Sequence, residues 1–247
     1  MSELLEMVLQ AHGGKDRWDS LQTVSAHQSV GGAIWALKQS EGIVNDAFVT
    51  ARLHEPWASI SPFTGVDRRS IYTPDRVAIE QADGTVVEEL LNPRESFAGH
   101  ELTTPWSRLQ LAYFSGYAMW TYLTEPAHLT MPGVKTEDLG EWNEGGALWR
   151  RLGVTYPSTI GTHSAKQVLY VDAEGLLRRR DYEVDIAGGA PSVHYMSGHT
   201  EVSGVMVPTS RVVYVRDPEG HKVPEPVIVS IELDDIRFAD PGELSHG

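Results

Sequence analysis

The chain has 247 residues, 20 Lys and Arg against 34 Asp and Glu for a formal net charge of −14, 41% hydrophobic residues and no cysteine. That charge opposes phosphate backbones and anionic lipid surfaces, which argues against nucleic acid as a partner. The missing cysteines exclude disulfides, thiol catalysis and cysteine-held zinc or iron–sulfur clusters.

The length fits a single domain over 1–247, with a flexible tail expected at about 239–247. Ser2 can cap a helix running to about Ala11, with Leu4, Leu5, Val8 and Leu9 on one stripe and Gly13-Gly14 ending it. This start is acidic and carries neither a basic segment nor a cleavage signal, so a cytoplasmic location is expected if Met1 is the native start.

Thr23 to Leu37, with a bend at Gly31-Gly32, and Ile43 to Leu53 read as long strands. Asp46, Phe48, Arg52 and His54 alternate onto one face of the second, where a solvated surface is the plainer reading. Short strands follow at Trp57 to Pro62, Arg68 to Thr73 and Val77 to Gln81, and Asp83-Gly84 signals a hairpin into Thr85 to Leu91.

The rhythm changes at Pro93, and a helical insertion is expected over about 93–124. Trp106, Leu109, Tyr113, Tyr117 and Trp120 recur at three or four, and Phe114, Met119 and Leu123 make the helix apolar nearly all round. Such a helix must be covered on most sides, as a lid or plug against a curved sheet. The longest apolar segment, Leu109 to Leu123, is shorter than the ~20 residues that span a bilayer, so stable membrane insertion is not expected.

Val134 to Trp142 and Leu148 to Tyr156 return to strands. Four more follow as a meander, Ile160 to Val171, Leu176 to Ile186, Ser192 to Val202 and Val205 to Arg216, and Val227 to Phe238 closes the sheet. About eleven antiparallel strands result, a size at which an open sheet must curl.

Pairing across Ser203-Gly204 sets Met196 against Arg211 and His194 against Val213. Across Gly188-Gly189 the favoured register sets Val184 against His194 and Tyr182 against Met196, leaving Asp181, Glu183, Asp185 and Arg179 on the solvated face. The inner face then carries Arg178, Arg180, Tyr182, Val184, His194, Met196, Arg211 and Val213. Guanidiniums aimed into an apolar space suit a carboxylate.

No catalytic motif stands out: there is no G-x-S-x-G, glycine-rich phosphate loop or H-E-x-x-H, and neither cofactor nor metal is expected. Two functional readings follow. The first is a binding or carrier protein for a hydrophobic, acidic, lipid-like small molecule held between the sheet and the central helix, with Arg180, Arg211, Met196, Tyr113, Tyr117, Trp120 and His163 as ligand-binding residues. The second is a cofactor-free isomerase, lyase or cyclase using His194 and Tyr182 as acid and base in the same cavity.

A leading amphipathic helix, about eleven antiparallel strands and a helical insertion midway resemble the bacterial lipoprotein-carrier fold. That resemblance implies an unclosed β-barrel, mainly β with added helices (α+β), whose concave face binds acyl chains under a helical lid. The segments Ala11-His-Gly-Gly, Arg17-Trp18, Gly31 to Lys38, Tyr113 to Trp120, Thr162-His-Ser164, Leu176 to Asp185, His194-Tyr195 and Pro208-Thr209 also resemble an uncharacterised family of bacterial proteins of similar length, which supports the fold more than a function.

Overall fold

Fourteen strands join into one antiparallel sheet in the computed structural model, which describes residues 2–240. They are β1 Thr23–Gly31, β2 Asp46–Arg52, β3 Ala58–Ser61, β4 Arg68–Thr73, β5 Arg76–Gln81, β6 Val86–Leu91, β7 Lys135–Glu144, β8 Ala147–Thr155, β9 Lys166–Val171, β10 Leu177–Val184, β11 Ala190–Val202, β12 Val205–Arg216, β13 Lys222–Val223 and β14 Val229–Ala239. The order is β6-β5-β4-β3-β2-β1-β14-β12-β11-β10-β9-β8-β7, with β13 added to β12.

Each half is a meander, and the final strand β14 seams them by lying between β1 and β12. The sheet does not close on itself: β6 and β7 are its two edges. The residues between those edges form the helical insertion, which carries the chain from one edge of the sheet to the other. Ala239 ends β14, and the expected tail beyond Asp240 lies outside the described residues.

Helix α1, Glu3–Ala11, begins at Ser2, whose side chain accepts from the Leu5 N–H at 3.2 Å, and it buries Leu4, Leu5, Val8 and Leu9. A second helix, α2 Lys15–Ser20, buries Trp18. Between them Gly13, at φ +107°, lies so close to the Gly204 carbonyl that a Cβ would stand 2.3 Å from its oxygen. This seats the helical turn on the β11–β12 hairpin, where Ser203 and Gly204 both have positive φ, as a two-residue hairpin turn requires.

The central helix, α4, covers Arg108–Leu123 and is buried from Gln110 to its end. Ser107 and Gln110 fix its start with a reciprocal capping box: Ser107 N–H donates to Gln110 Oε1 at 2.9 Å, and Gln110 N–H donates to Ser107 Oγ at 3.2 Å. Replacing Ser107 by alanine is expected to lower stability by about 1 kcal/mol, read as a shift of the denaturant midpoint with unchanged slope.

Two expected strands are shorter in the structure. The first stops at Gly31 because Gly32, at φ +110°, packs on the Ile228 carbonyl and turns the chain into a short helix α3, Ile34–Leu37, whose Ile34 and Trp35 enter the core. The strand expected from Ile160 begins at Lys166. Upstream, Thr162 Oγ1 donates to the Ser164 carbonyl (2.8 Å) and Ser164 Oγ to the Lys166 carbonyl (2.9 Å), local bonds that compete with sheet pairing.

Candidate functional site

The meander β10–β11–β12 supplies the floor of the interior. In β11–β12, Met196 faces Arg211 and His194 faces Val213, as the turn dictates. In β10–β11 the expected register is corrected by four residues: Arg180 stands opposite His194, Tyr182 opposite Ser192 and Val184 opposite Ala190. The cause is a 3-10 turn, Asp185–Ala187, which lengthens the connection before Gly188 and Gly189. An even slide preserves the faces, so Arg180, Tyr182, His194, Met196 and Arg211 all point inward and are buried.

The outward face departs from expectation more. Arg179 is 0% exposed and Asp181 6% exposed, because the β7–β8 hairpin and the turn before β13 fold over them. The Arg179 guanidinium packs on Tyr170 at 4.5 Å and Trp142 at 5.3 Å, pairs with Asp181 and Glu144 at 2.7 Å each, and donates to the Gly220 carbonyl. Glu183 and Asp185 remain exposed. Arg178 sits at a bulge between Leu177 and Arg179, leaves the alternation, and pairs at the rim with Asp172 (2.6 Å) and His199 (3.3 Å).

Inside, one carboxylate organises the charges. Glu125, just past α4 and 4% exposed, pairs with Arg180 and lies 4.0 Å from Arg211. Arg180 also donates to Gln167 Oε1 at 3.1 Å, and Arg211 donates to the Tyr122 carbonyl at 2.8 Å while its guanidinium sits 4.8 Å from that ring. Burial opposes charge on both arginines; beside Glu125, Arg180 stays firmly protonated, whereas Arg211 is pushed down to about 10. His128, bonded to Tyr156 at 2.9 Å, is held neutral by burial and the nearby Arg180, its pKa down to about 3.

A chain of aromatic hydrogen bonds runs above this cluster. His163 contacts the Tyr117 hydroxyl through Nδ1 at 3.2 Å and the Tyr122 hydroxyl through Nε2 at 2.7 Å, and stacks on Tyr182 with 4.0 Å between centroids. Tyr122 and Tyr182 hydroxyls are 3.4 Å apart. Burial first, then the neighbouring guanidiniums, hold both His163 and His194 well below the ordinary imidazole value, so both are neutral. His194 meets the Tyr122 ring edge-on at 4.7 Å, and neither of its ring nitrogens has a protein partner among the described residues.

Next to this cluster lies an apolar cavity of about 60 Å³ between α4 and the sheet, walled by Phe114, Ala118, Met119, Tyr122, Tyr182 and Val213 among others. Its rim includes Trp35 and Trp106. Lys38, fully buried beneath Trp106, donates to the Glu101 and Thr104 carbonyls at 3.1 Å each; burial pushes its pKa down to about 8. A larger and more polar cleft of about 1040 Å³ opens on the opposite side of α4, near Arg94, Tyr113 and Pro157.

Of the residues expected at the site, Tyr182 and His163 line the apolar cavity. Arg180, His194, Met196 and Arg211 form the buried floor beside it. Tyr117 reaches it through His163, while Tyr113 lines the polar cleft and Trp120 is tied to the Arg52 carbonyl at 2.9 Å. Asp46 and Phe48 are exposed, and Asp46 holds His27 at 2.7 Å on the outer surface.

Sequence reasoning missed Glu125 and Tyr122. The signal for Glu125 was there: between Arg108 and Lys135 it is the only Asp, Glu, Lys or Arg.

No protein-family model matches the sequence, and comparison with curated proteins finds no match. Solved structures do match. A DUF1329 family protein from Desulfovibrio piger superposes with a TM-score of 0.54 at 13% identity, over 95% of this chain and 91% of that one. A LolA superfamily protein from Nitrosomonas europaea gives a TM-score of 0.55 at 10% identity, over 96% and 92%. This is the lipoprotein-carrier-like fold. Among the described residues no helix is long and apolar enough to cross a membrane.

Proposed function

We propose that this protein binds and carries a hydrophobic, acidic, lipid-like small molecule, its apolar body held between the concave sheet and α4. The observation that carries the reading is the apolar cavity lying against a buried cationic floor. A carrier-like fold, whose concave face is expected to take acyl chains, supports it.

The resting cavity holds about four to six water-sized positions. A longer molecule therefore enters as the walls yield, and Met119, with its pliable side chain, is one wall able to do so. Acid–base catalysis by His194 and Tyr182 is the alternative reading. It has less support, because the fully enclosed His194 imidazole is held well below its ordinary pKa by burial and by the Arg211 and Arg180 charges, and Tyr182 is held well above its own by burial and by Tyr122.

The test separates the cavity from the charge. Ala118→Leu fills the cavity from α4 and is expected to weaken binding of uncharged 1-octanol about tenfold or more, at an overpacking cost of about 1–3 kcal/mol. Titration calorimetry on the folded variant reads the first, and denaturant unfolding the second. Octanol binding that Ala118→Leu leaves unchanged places the ligand elsewhere and overturns the proposal.

A further inference from the structure

The charges on the floor do not balance. Arg180 and Arg211 are both 0% exposed, and the only carboxylate paired with them, among the described residues, is Glu125. The surrounding His128, His163 and His194 are neutral, so one positive charge is left over in a fully enclosed site. An uncompensated charge away from water is costly and is kept only where something completes it.

The two arginines are not equivalent. Arg180 spends both terminal nitrogens on Glu125 and Gln167. Arg211 has one terminal nitrogen on the Tyr122 carbonyl, while among the described residues its Nε and Nη1 have no hydrogen-bond partner, Nη1 standing 4.0 Å from Glu125; Arg180 lacks a hydrogen bond only at Nε. His194, equally buried, has neither ring nitrogen engaged. Unused donors on Arg211 and His194 therefore coincide with the excess charge, and both residues pack against the Tyr122 ring.

The apolar cavity lies one side chain away from this point, with neither Arg211 nor His194 among its lining residues. Tyr122 belongs to both, and Val213, which faces His194 across β11–β12, also lines the cavity.

We infer that the carried molecule is a hydrophobic monocarboxylate, its head bound by Arg211 and His194 and its tail in the cavity beside α4. The inference rests on the carrier reading and narrows it to one ligand charge. A single carboxylate neutralises the site and matches the planar guanidinium fork. A dianionic head reverses the imbalance beside Glu125, and an uncharged head leaves it in place.

Titration calorimetry at about pH 7.5, where a carboxylic acid is ionised, tests this with octanoate, 1-octanol and octyl phosphate. Octanoate is expected to bind about tenfold or more tighter than octanol and tighter than octyl phosphate. Arg211→Met is expected to remove that preference, read as the ratio of octanoate to octanol affinity within the same variant. His194→Phe, which keeps a ring of similar shape, is expected to lose part of the preference and serves if Arg211→Met does not fold.

Equal binding of octanoate and octanol overturns the monocarboxylate assignment and leaves the carrier reading standing. Octyl phosphate binding tightest also overturns it. Failure of all three probes to bind removes the carrier reading and this inference together.

Discussion

Glu125→Gln is expected to destabilise the protein by about 3–5 kcal/mol, the range for removing one partner of a buried ion pair, and denaturant unfolding of the two proteins side by side measures it. The magnitude follows from what is left behind. Arg180 loses its partner, Arg211 loses the only carboxylate paired with it among the described residues, and both are fully enclosed.

A glutamine fills the same space, so packing does not change and the loss is electrostatic. A second substitution, Arg180→Met, should return part of the stability, because it removes a charge that no longer has a counterpart. A loss under about 1 kcal/mol would show that the pair adds little beyond its burial cost.

The pH dependence carries a definite sign. Burial alone would raise the Glu125 pKa, but Arg180 and Arg211 more than reverse this and hold it below its ordinary 4.5. A depressed carboxylate contributes stability that is present above the unfolded value and lost as pH falls through the folded one. The gap between wild type and Glu125→Gln should therefore be flat above about pH 4.5 and narrow only in more acidic solution.

The faces of the meander were legible because they depend only on strand parity. Arg180, Tyr182, His194, Met196 and Arg211 reach the interior whether or not the β10–β11 register is right, since a slide of four residues returns every side chain to its own side. The Ser203-Gly204 turn went further and fixed residue pairs, because a two-residue loop leaves no freedom in register.

What sequence patterns did not show was which charged residues would be covered. Arg179 and Arg180 are adjacent, alternate to opposite faces and are both buried, one under the β7–β8 hairpin and one against Glu125. A long-range cover has no local signature. Glu125 was overlooked for the opposite reason: it follows an apolar helix, where an acidic residue reads as a helix ending rather than as the counterion of a strand more than fifty positions away.

Gly116→Ala is expected to lower stability by about 1–3 kcal/mol or more, against the gain of roughly 1 kcal/mol that the same change brings in an open helix. A Cβ at Gly116 would stand 2.3 Å from Tyr72 Cβ and 2.6 Å from its Cγ, so the contact is with the base of the side chain, which no rotamer can withdraw. Tyr72 has little room along its own axis either, because its hydroxyl packs on Gly161, donating to that carbonyl at 3.5 Å and standing where even a Cβ would lie only 2.4 Å from it. The remaining relief is for α4 to lift off β4. Gly116 lies on the side of α4 that faces β4, while Ser115, Ala118, Met119 and Tyr122 face the cavity. Lifting the helix therefore drives those residues into the space proposed for the ligand. Gly116→Ala should thus lose octanol affinity together with stability, and a variant that unfolds at the wild-type denaturant concentration while binding octanol normally would show that this close approach does not set the position of the helix.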